Sequence, residues 1–355
     1  MEPVNLIDEL TSSPALYPLA IDLKADMVRL VTLTQAVYEE ASFLDRLRLK
    51  TVTGGIWLPW AEVRRAAAGL RARCHFIFHI SHVGSTLVSR LLGCHPALFS
   101  LREPGMLRLF AEQHPTLDQP GCLWSRAEFD DRLGIHLGLW SRTFQSEQTV
   151  VFKATSFASG MSDVLMERVA DSRSLLMFVQ PERFLQTLLR GSMNDITSTS
   201  AKRLLRLGQR LGAAPWRIED LSPGESVAMC WLSEMLALHT TSARFPSRVL
   251  WMDFDHFLAS PGAGLIAAFR QFGVHIGEGE AEKILSSAAM RQYSKNPSRE
   301  YDAQERSRLL QQAAQDHAVE IQKGMKWLER AAAEFPVVQE VITAAAGRAA
   351  SPQKI

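Results

Sequence analysis

Gly84, Ser85 and Thr86 stand between a short apolar run, His75-Phe76-Ile77-Phe78-His79-Ile80, and a helical repeat in which Leu87, Val88, Leu91 and Leu92 share one face. That repeat stops at Gly93, with Pro96 soon after, so the segment reads as strand, turn and helix. A glycine lets the backbone approach a ligand closely. The two hydroxyls lie at a helix start whose free N–H groups point outward, and the combination forms a phosphate cradle. The same three residues also serve as a plain cap in any strand-to-helix turn, and both readings stand at this point. Lys153 closes the run Thr149-Val150-Val151-Phe152 and so falls at a strand end, as a source of positive charge or as a snorkelling terminal lysine. Ser100-Leu101-Arg102-Glu103-Pro104-Gly105 follows the first helix and returns the chain toward the same edge. Glu103 is there a candidate general base, or the partner of Arg102 or Arg108 in an ordinary ion pair.

Positioning these groups requires a sheet. Besides the first run and the strand ending at Lys153, Leu175 to Val179 and Val249 to Asp253 are short and continuously apolar, as strands buried on both faces are. Helical spacing intervenes at Met161, Val164, Leu165 and Val169 and again at Leu265, Ile266, Phe269 and Phe272. The alternation implies βαβ units, a parallel sheet with helices on both faces, and ligands bound beyond the carboxyl ends of its strands. Residues 226–243 read as a buried helix and 302–330 as one long amphipathic helix. The expected organisation is a helical N-terminal extension over 1–70, an α/β domain over 71–335 and a C-terminal tail over 336–355, frayed from Ala344 onward.

The 355 residues are 46% hydrophobic and 22% charged, ordinary globular usage that excludes disordered and disulfide-stapled classes. With 39 basic against 38 acidic residues the net charge is +1, so nucleic acid and anionic membranes are not expected partners and any anion site must be local. Cys74, Cys94, Cys122 and Cys230 lie far apart without zinc-ligand spacing, which fits free thiols and no metal site. No secretory pattern opens the chain, and no apolar run approaches the roughly 18–20 residues that span a bilayer, so a cytoplasmic protein is expected.

Against the NTPase phosphate loop, G-x-x-x-x-G-K-[ST], the second glycine (Gly84) and the final hydroxyl (Thr86) are present. His79 replaces the first glycine, and Ser85 replaces the lysine that reaches the outer phosphates, which disfavours ordinary NTPase chemistry. Here the chain resembles the sulfotransferase superfamily, whose loop typically reads Pro-Lys or Pro-Arg, Ser-Gly-Thr-Thr and binds the 5′-phosphosulfate end of PAPS, 3′-phosphoadenosine 5′-phosphosulfate. Val83, Gly84, Ser85 and Thr86 cover that loop, and His82 stands where the family has its basic residue, as a site histidine or a surface one. Val150 to Thr155 looks like the family's second strand with its Lys-Thr segment. Leu175 to Thr187 looks like the third strand and turn.

That turn departs from the family pattern Arg-Asp-Pro with a serine downstream, whose Arg and Ser bind the adenosine 3′-phosphate. Val179-Gln180-Pro181 and Thr187 stand here, and Arg183 or Arg190 are the candidate substitutes, Arg183 being equally readable as a solvated helix residue. Trp251 to Leu258 followed by Pro261 resembles the family's Tyr-Glu-Asp-Leu strand end and reads as structural. Glu103 resembles the carboxylate base of the protein-tyrosine and carbohydrate branches, since Thr155 stands where the small-phenol branch has its histidine. Lys295, like Arg299, falls where family members close the donor site with a basic loop, and a solvated loop is the competing reading.

The resemblance therefore implies a three-layer α/β fold with a central parallel sheet and a PAPS-dependent sulfotransferase, with adenosine 3′,5′-bisphosphate as product. Its catalytic residues would be Glu103, Lys153 and His82, and its acceptor a hydroxyl or amine that the sequence does not identify. A phosphotransferase using ATP and Mg²⁺, and a non-catalytic nucleotide-binding protein on the same fold, are the alternatives. Trp124, Trp140 and Phe144 are candidates for lining an acceptor pocket or for plain core.

Overall fold

The computed structural model describes residues 3–45, 49, 52, 54–191, 198–287, 292–293, 296–300 and 303–350. Five short strands form the central sheet: β4 (Cys74–His79), β5 (Leu98–Arg102), β6 (Thr149–Lys153), β7 (Ser174–Phe178) and β8 (Val249–Asp253), in the order β5-β6-β4-β7-β8. Every neighbouring pair is parallel. Phe76, Phe78, Phe152, Leu175 and Leu176 are wholly buried, which is why these strands read as unbroken apolar runs. The expected sheet with helices on its faces is what the chain forms.

Register places the functional end. Arg102 lies opposite Lys153, His79 opposite Met177 and Phe178 opposite Asp253, so these strand ends share one carboxyl edge. The chain leaves β4 for β5 at one side and later passes from β6 to β7 across β4, putting a crevice beside the end of β4, where ligands bind in open α/β sheets. Two helices around the sheet start with reciprocal caps: Ser125 with Glu128 for Arg126–Trp140, and Ser222 with Glu225 for Pro223–Arg244. The second is buried along most of its length, as its all-round apolar sequence requires.

Three expectations are corrected. The N-terminal region is not only helical: β1 (Leu16–Asp22), β2 (Met27–Thr32) and β3 (Ile56–Pro59) form an antiparallel sheet closing a second small core around Val28, Leu30, Trp60 and Val63. The side chain of Arg142 ties this region to the domain by donating to the carbonyls of Leu10, Ser13 and Leu16. The single helix expected over 302–330 is two, Ala303–Asp316 and Ala318–Glu334, separated where His317 leaves helical geometry at φ −119°, ψ 19°. Finally, Pro336–Ala350 is a helix and not a frayed tail, because Val338, Val341 and Ala345 lie on one buried face. No helix among the described residues is long and apolar enough to cross a membrane.

Candidate functional site

The turn after β4 is built from unusual backbone. Ser81 and His82 adopt φ of +83° and +52°, and Gly84 follows at +66°, so the chain coils tightly before the Ser85–Leu92 helix. Only glycine fits the last position. A Cβ on Gly84 would stand 2.0 Å from the Phe254 ring, which packs on that side of the turn. Among the described residues, the N–H groups of Val83, Gly84, Ser85, Thr86 and Leu87 have no acceptor in the protein, and the Val88 amide is the first to close onto the helix, at Gly84 O. The hydroxyls of Ser85 and Thr86 make no hydrogen bond to another described residue either. Such a set of unsatisfied donors at a helix N-terminus is a receptor for an anion.

Beside it lies a carboxylate and a lysine. Glu103 follows β5 in a left-handed turn, φ +45°, and its amide donates to Lys153 O at 2.8 Å, which folds the turn over the end of β6. Its carboxylate forms an ion pair with Lys153, whose side chain is 1% exposed against 19% for Glu103. Phe43, from the N-terminal region, places its ring 5.4 Å from Lys153 Nζ. The ion pair is thus with Lys153, and neither expected alternative partner takes part. Arg102, buried, donates to the carbonyls of Tyr38, Glu39 and Ala41 at the end of the Gln35–Glu40 helix, and Arg108 pairs with Glu112. Burial pushes the Arg102 guanidinium down to about 10.

His79 joins the two halves. Its Nε2 is 2.9 Å from Ala154 O and 3.8 Å from Glu103 Oε1, and its Nδ1 accepts the Ser81 amide at 3.1 Å. The turn after β4, the Lys153 strand end and Glu103 therefore form one constellation. His82 is half-buried within the turn.

The remaining candidates are spread wider. Arg183 is in the first turn of the Pro181–Leu189 helix, 3.8 Å from Asp255, and Arg306 reaches the same carboxylate at 2.5 Å while stacking 5.3 Å from the Phe254 ring centre. Thr187 donates its hydroxyl to Arg183 O within the helix, and Arg190 is exposed at the helix C-cap. Val179, which takes the arginine's place in the Arg-Asp-Pro pattern, is buried, and Gln180 beside it donates its amide to Ala345 O on the C-terminal helix. Lys295 lies outside the described residues. Trp124 and Trp140 are core, and Phe144 packs edge-on against Tyr38 and Phe99.

Asp253 behaves as the structural reading requires. Its Oδ1 accepts the amides of Asp255 and His256 to cap the next helix, while burial raises its carboxyl above the usual range. His79, Phe43, Asp255 and Arg306 were not singled out as site residues by sequence. Only His79 carried a signal, as the bulky residue in place of a loop glycine.

No family model and no curated protein matches this chain. Among solved structures, it is similar to the sulfotransferase domain from the curacin biosynthetic pathway at 14% identity and a TM-score of 0.42, over 70% of this chain and 98% of that one. The sulfotransferase domain from the Synechococcus PCC 7002 olefin synthase matches at 13% identity and 0.39, over 68% and 94%. Sulfotransferase STF9 from Mycobacterium avium matches at 13% and 0.38, over 88% and 96%.

Proposed function

We propose that this chain is a sulfotransferase that moves a sulfuryl group from PAPS to a hydroxyl or amine. The observation carrying the reading is the run of unpartnered amides from Val83 to Leu87, with two open hydroxyls, joined through His79 to the Lys153–Glu103 pair. Such a cradle suits the 5′-phosphosulfate end of the donor. The absence of a lysine at Ser85 suits a transferable group of lower charge than a terminal phosphate.

In the reaction, the acceptor oxygen or nitrogen forms its bond to sulfur while the bond from sulfur to the bridging oxygen breaks. The acceptor proton goes to the Glu103 carboxylate, and the bridging oxygen leaves on the nucleotide phosphate. Lys153 supplies positive charge to that oxygen, which requires the ammonium to exchange part of its contact with Glu103 for the donor. His82, Ser85, Thr86 and the turn amides hold the departing phosphate.

The fit is good at the 5′ end and weaker at the 3′ end. There Gln180 is engaged by Ala345 O, while Arg183 and Arg306 share Asp255. A 3′-phosphate would have to draw these arginines from that carboxylate. Arg190, at the far end of the helix, is poorly placed to help.

Thermal unfolding with added ligands tests the assignment, because a ligand that binds only the folded state raises Tm. Adenosine 3′,5′-bisphosphate should raise it. Stabilisation by ATP with Mg²⁺ alone would favour the phosphotransferase, for which Thr86 is retained, and no effect of either would leave a protein without this nucleotide site.

A further inference from the structure

We propose that His79 is a positioning residue whose neutral imidazole, carrying its proton on Nε2, tethers the anion turn to the strand end that bears Lys153. The inference rests on the turn being the anion site. The tether itself follows from three residues' hydrogen bonds.

A main-chain amide can only donate, so the nitrogen facing Ser81 N–H at 3.1 Å, Nδ1, must be bare. A carbonyl can only accept, so the nitrogen 2.9 Å from Ala154 O, Nε2, must carry the proton. These two partners fix both the tautomer and the neutral state of the ring. Among the described residues, Glu103, 3.8 Å from Nε2, and Lys153, paired to that carboxylate, are charged groups that face it. The residue's own backbone is held as firmly. His79 N–H donates to Ser159 Oγ at 3.0 Å, and Ser159 Oγ donates to His79 O at 2.9 Å.

The need for a tether lies in the turn. Ser81 and His82 both hold positive φ without being glycine, a conformation that persists only where neighbours over-determine it. Ser81 N–H bound to Nδ1 is the fixed point at the start of that coil. Ala154 directly follows Lys153, and its own amide returns to Ile77 O at 3.1 Å. One 4%-exposed ring thus bridges the phosphate-binding backbone and the lysine. A glycine at this position could hold neither bond.

Two isosteric replacements separate the bonds. His79→Asn sets a side-chain oxygen near Nδ1, keeping an acceptor for Ser81 and losing the bond to Ala154. His79→Gln sets an amide nitrogen near Nε2, keeping the donor for Ala154 and leaving Ser81 N–H unpaired.

The experiment has a ligand-free arm and a ligand arm. The ¹⁵N imidazole spectrum of the free protein at neutral pH, with His79 identified by the resonances lost in His79→Asn, should show a protonated Nε2 and a bare Nδ1. The opposite tautomer or a charged ring overturns the proposal. Exchange of the Ser81 amide should be slow in wild type and His79→Asn and fast in His79→Gln, and equal rates in the two variants also overturn it. In the ligand arm, adenosine 3′,5′-bisphosphate should bind His79→Gln about tenfold more weakly than wild type, the loss expected for one unpaired buried donor, with His79→Asn keeping most of the affinity. Equal affinities in both variants contradict the tether. Absence of binding to wild type contradicts the anion-site reading, while the spectrum and exchange rates still decide the tether. If His79→Gln does not fold, the wild-type spectrum decides alone.

Discussion

Two buried groups of cations and carboxylates adjoin the segment that follows β6, one through Arg206 at Phe157 O and the other at Lys153, the last residue of β6, and they are built differently. Where the Ser200–Leu211 helix meets Pro223–Arg244, Arg203 and Arg206 both contact Glu234 Oε1, at 2.7 and 3.0 Å, with the carboxylate side chain 1% exposed. Both guanidinium groups stack on Phe157, 5.1 and 4.2 Å from its ring centre. Around Lys153 the cation is as deeply buried, yet its carboxylate, Glu103, is 19% exposed and rides on a left-handed turn at the sheet's carboxyl edge. A sealed cluster fixes the packing of helices. The open one keeps an accessible carboxylate beside a turn full of unpaired amides, and that access, more than burial of charge, is why the proposed function places the chemistry there.

Breaking the sealed cluster should have the largest effect. Glu234→Gln removes the buried carboxylate charge that Arg203 and Arg206 share and should cost about 3–5 kcal/mol in chemical denaturation. A loss below about 1 kcal/mol would erase the contrast with the open pair. Next comes Gly84→Ala, which adds a Cβ 2.0 Å from the Phe254 ring at a positive φ. It should destabilise by about 1–3 kcal/mol and abolish binding of adenosine 3′,5′-bisphosphate in calorimetry. Retained binding would mean that the turn is not the receptor.

Glu103→Gln sharpens the comparison from the other side. Its amide oxygen can still accept from Lys153, so the stability loss should be only about 1–2 kcal/mol and nucleotide binding should survive. Turnover, once an acceptor is found, should fall about 10²–10⁴-fold, and undiminished turnover would remove Glu103 as the base. The last prediction concerns pH. His136, stacked on Trp60 and bonded through Nδ1 to Arg132 O, is pushed down to about 4 by burial from 6.5. Between those two values the unfolded chain binds the extra proton, so stability should decline as pH falls from 6.5 toward 4. In His136→Gln that decline should be shallower in a Tm-against-pH series, and an identical slope would assign it to other groups.

What the sequence disclosed follows from where the information is local. β4, β6 and β7 are continuous apolar runs because each is covered on both faces, β8 keeps such a run although it is half-buried at the sheet edge, and a parallel sheet necessarily gathers their ends, so Gly84, Lys153 and Glu103 could be brought together by topology alone. β5 was hidden because Ser100 and Arg102 interrupt it. Their partners, Ser89 Oγ and the carbonyls of Tyr38, Glu39 and Ala41, are 11 to 64 residues away. The roles of His79 and Arg306 depend on distances across elements, to Ala154 and Asp255, which no spacing along the chain encodes. The buried face of the last helix was legible in principle, since Pro336 opens it and Val338, Val341 and Ala345 keep helical spacing, but its run of alanines masked the pattern.

The most direct measurement is a ¹⁵N–¹H titration of the labelled protein with adenosine 3′,5′-bisphosphate, following the amides of Val83 to Leu87. Saturable shifts confined to these amides and to residues around Lys153 are predicted, and Gly84→Ala should lose them. Shifts located elsewhere, or none at saturating nucleotide, would contradict the account.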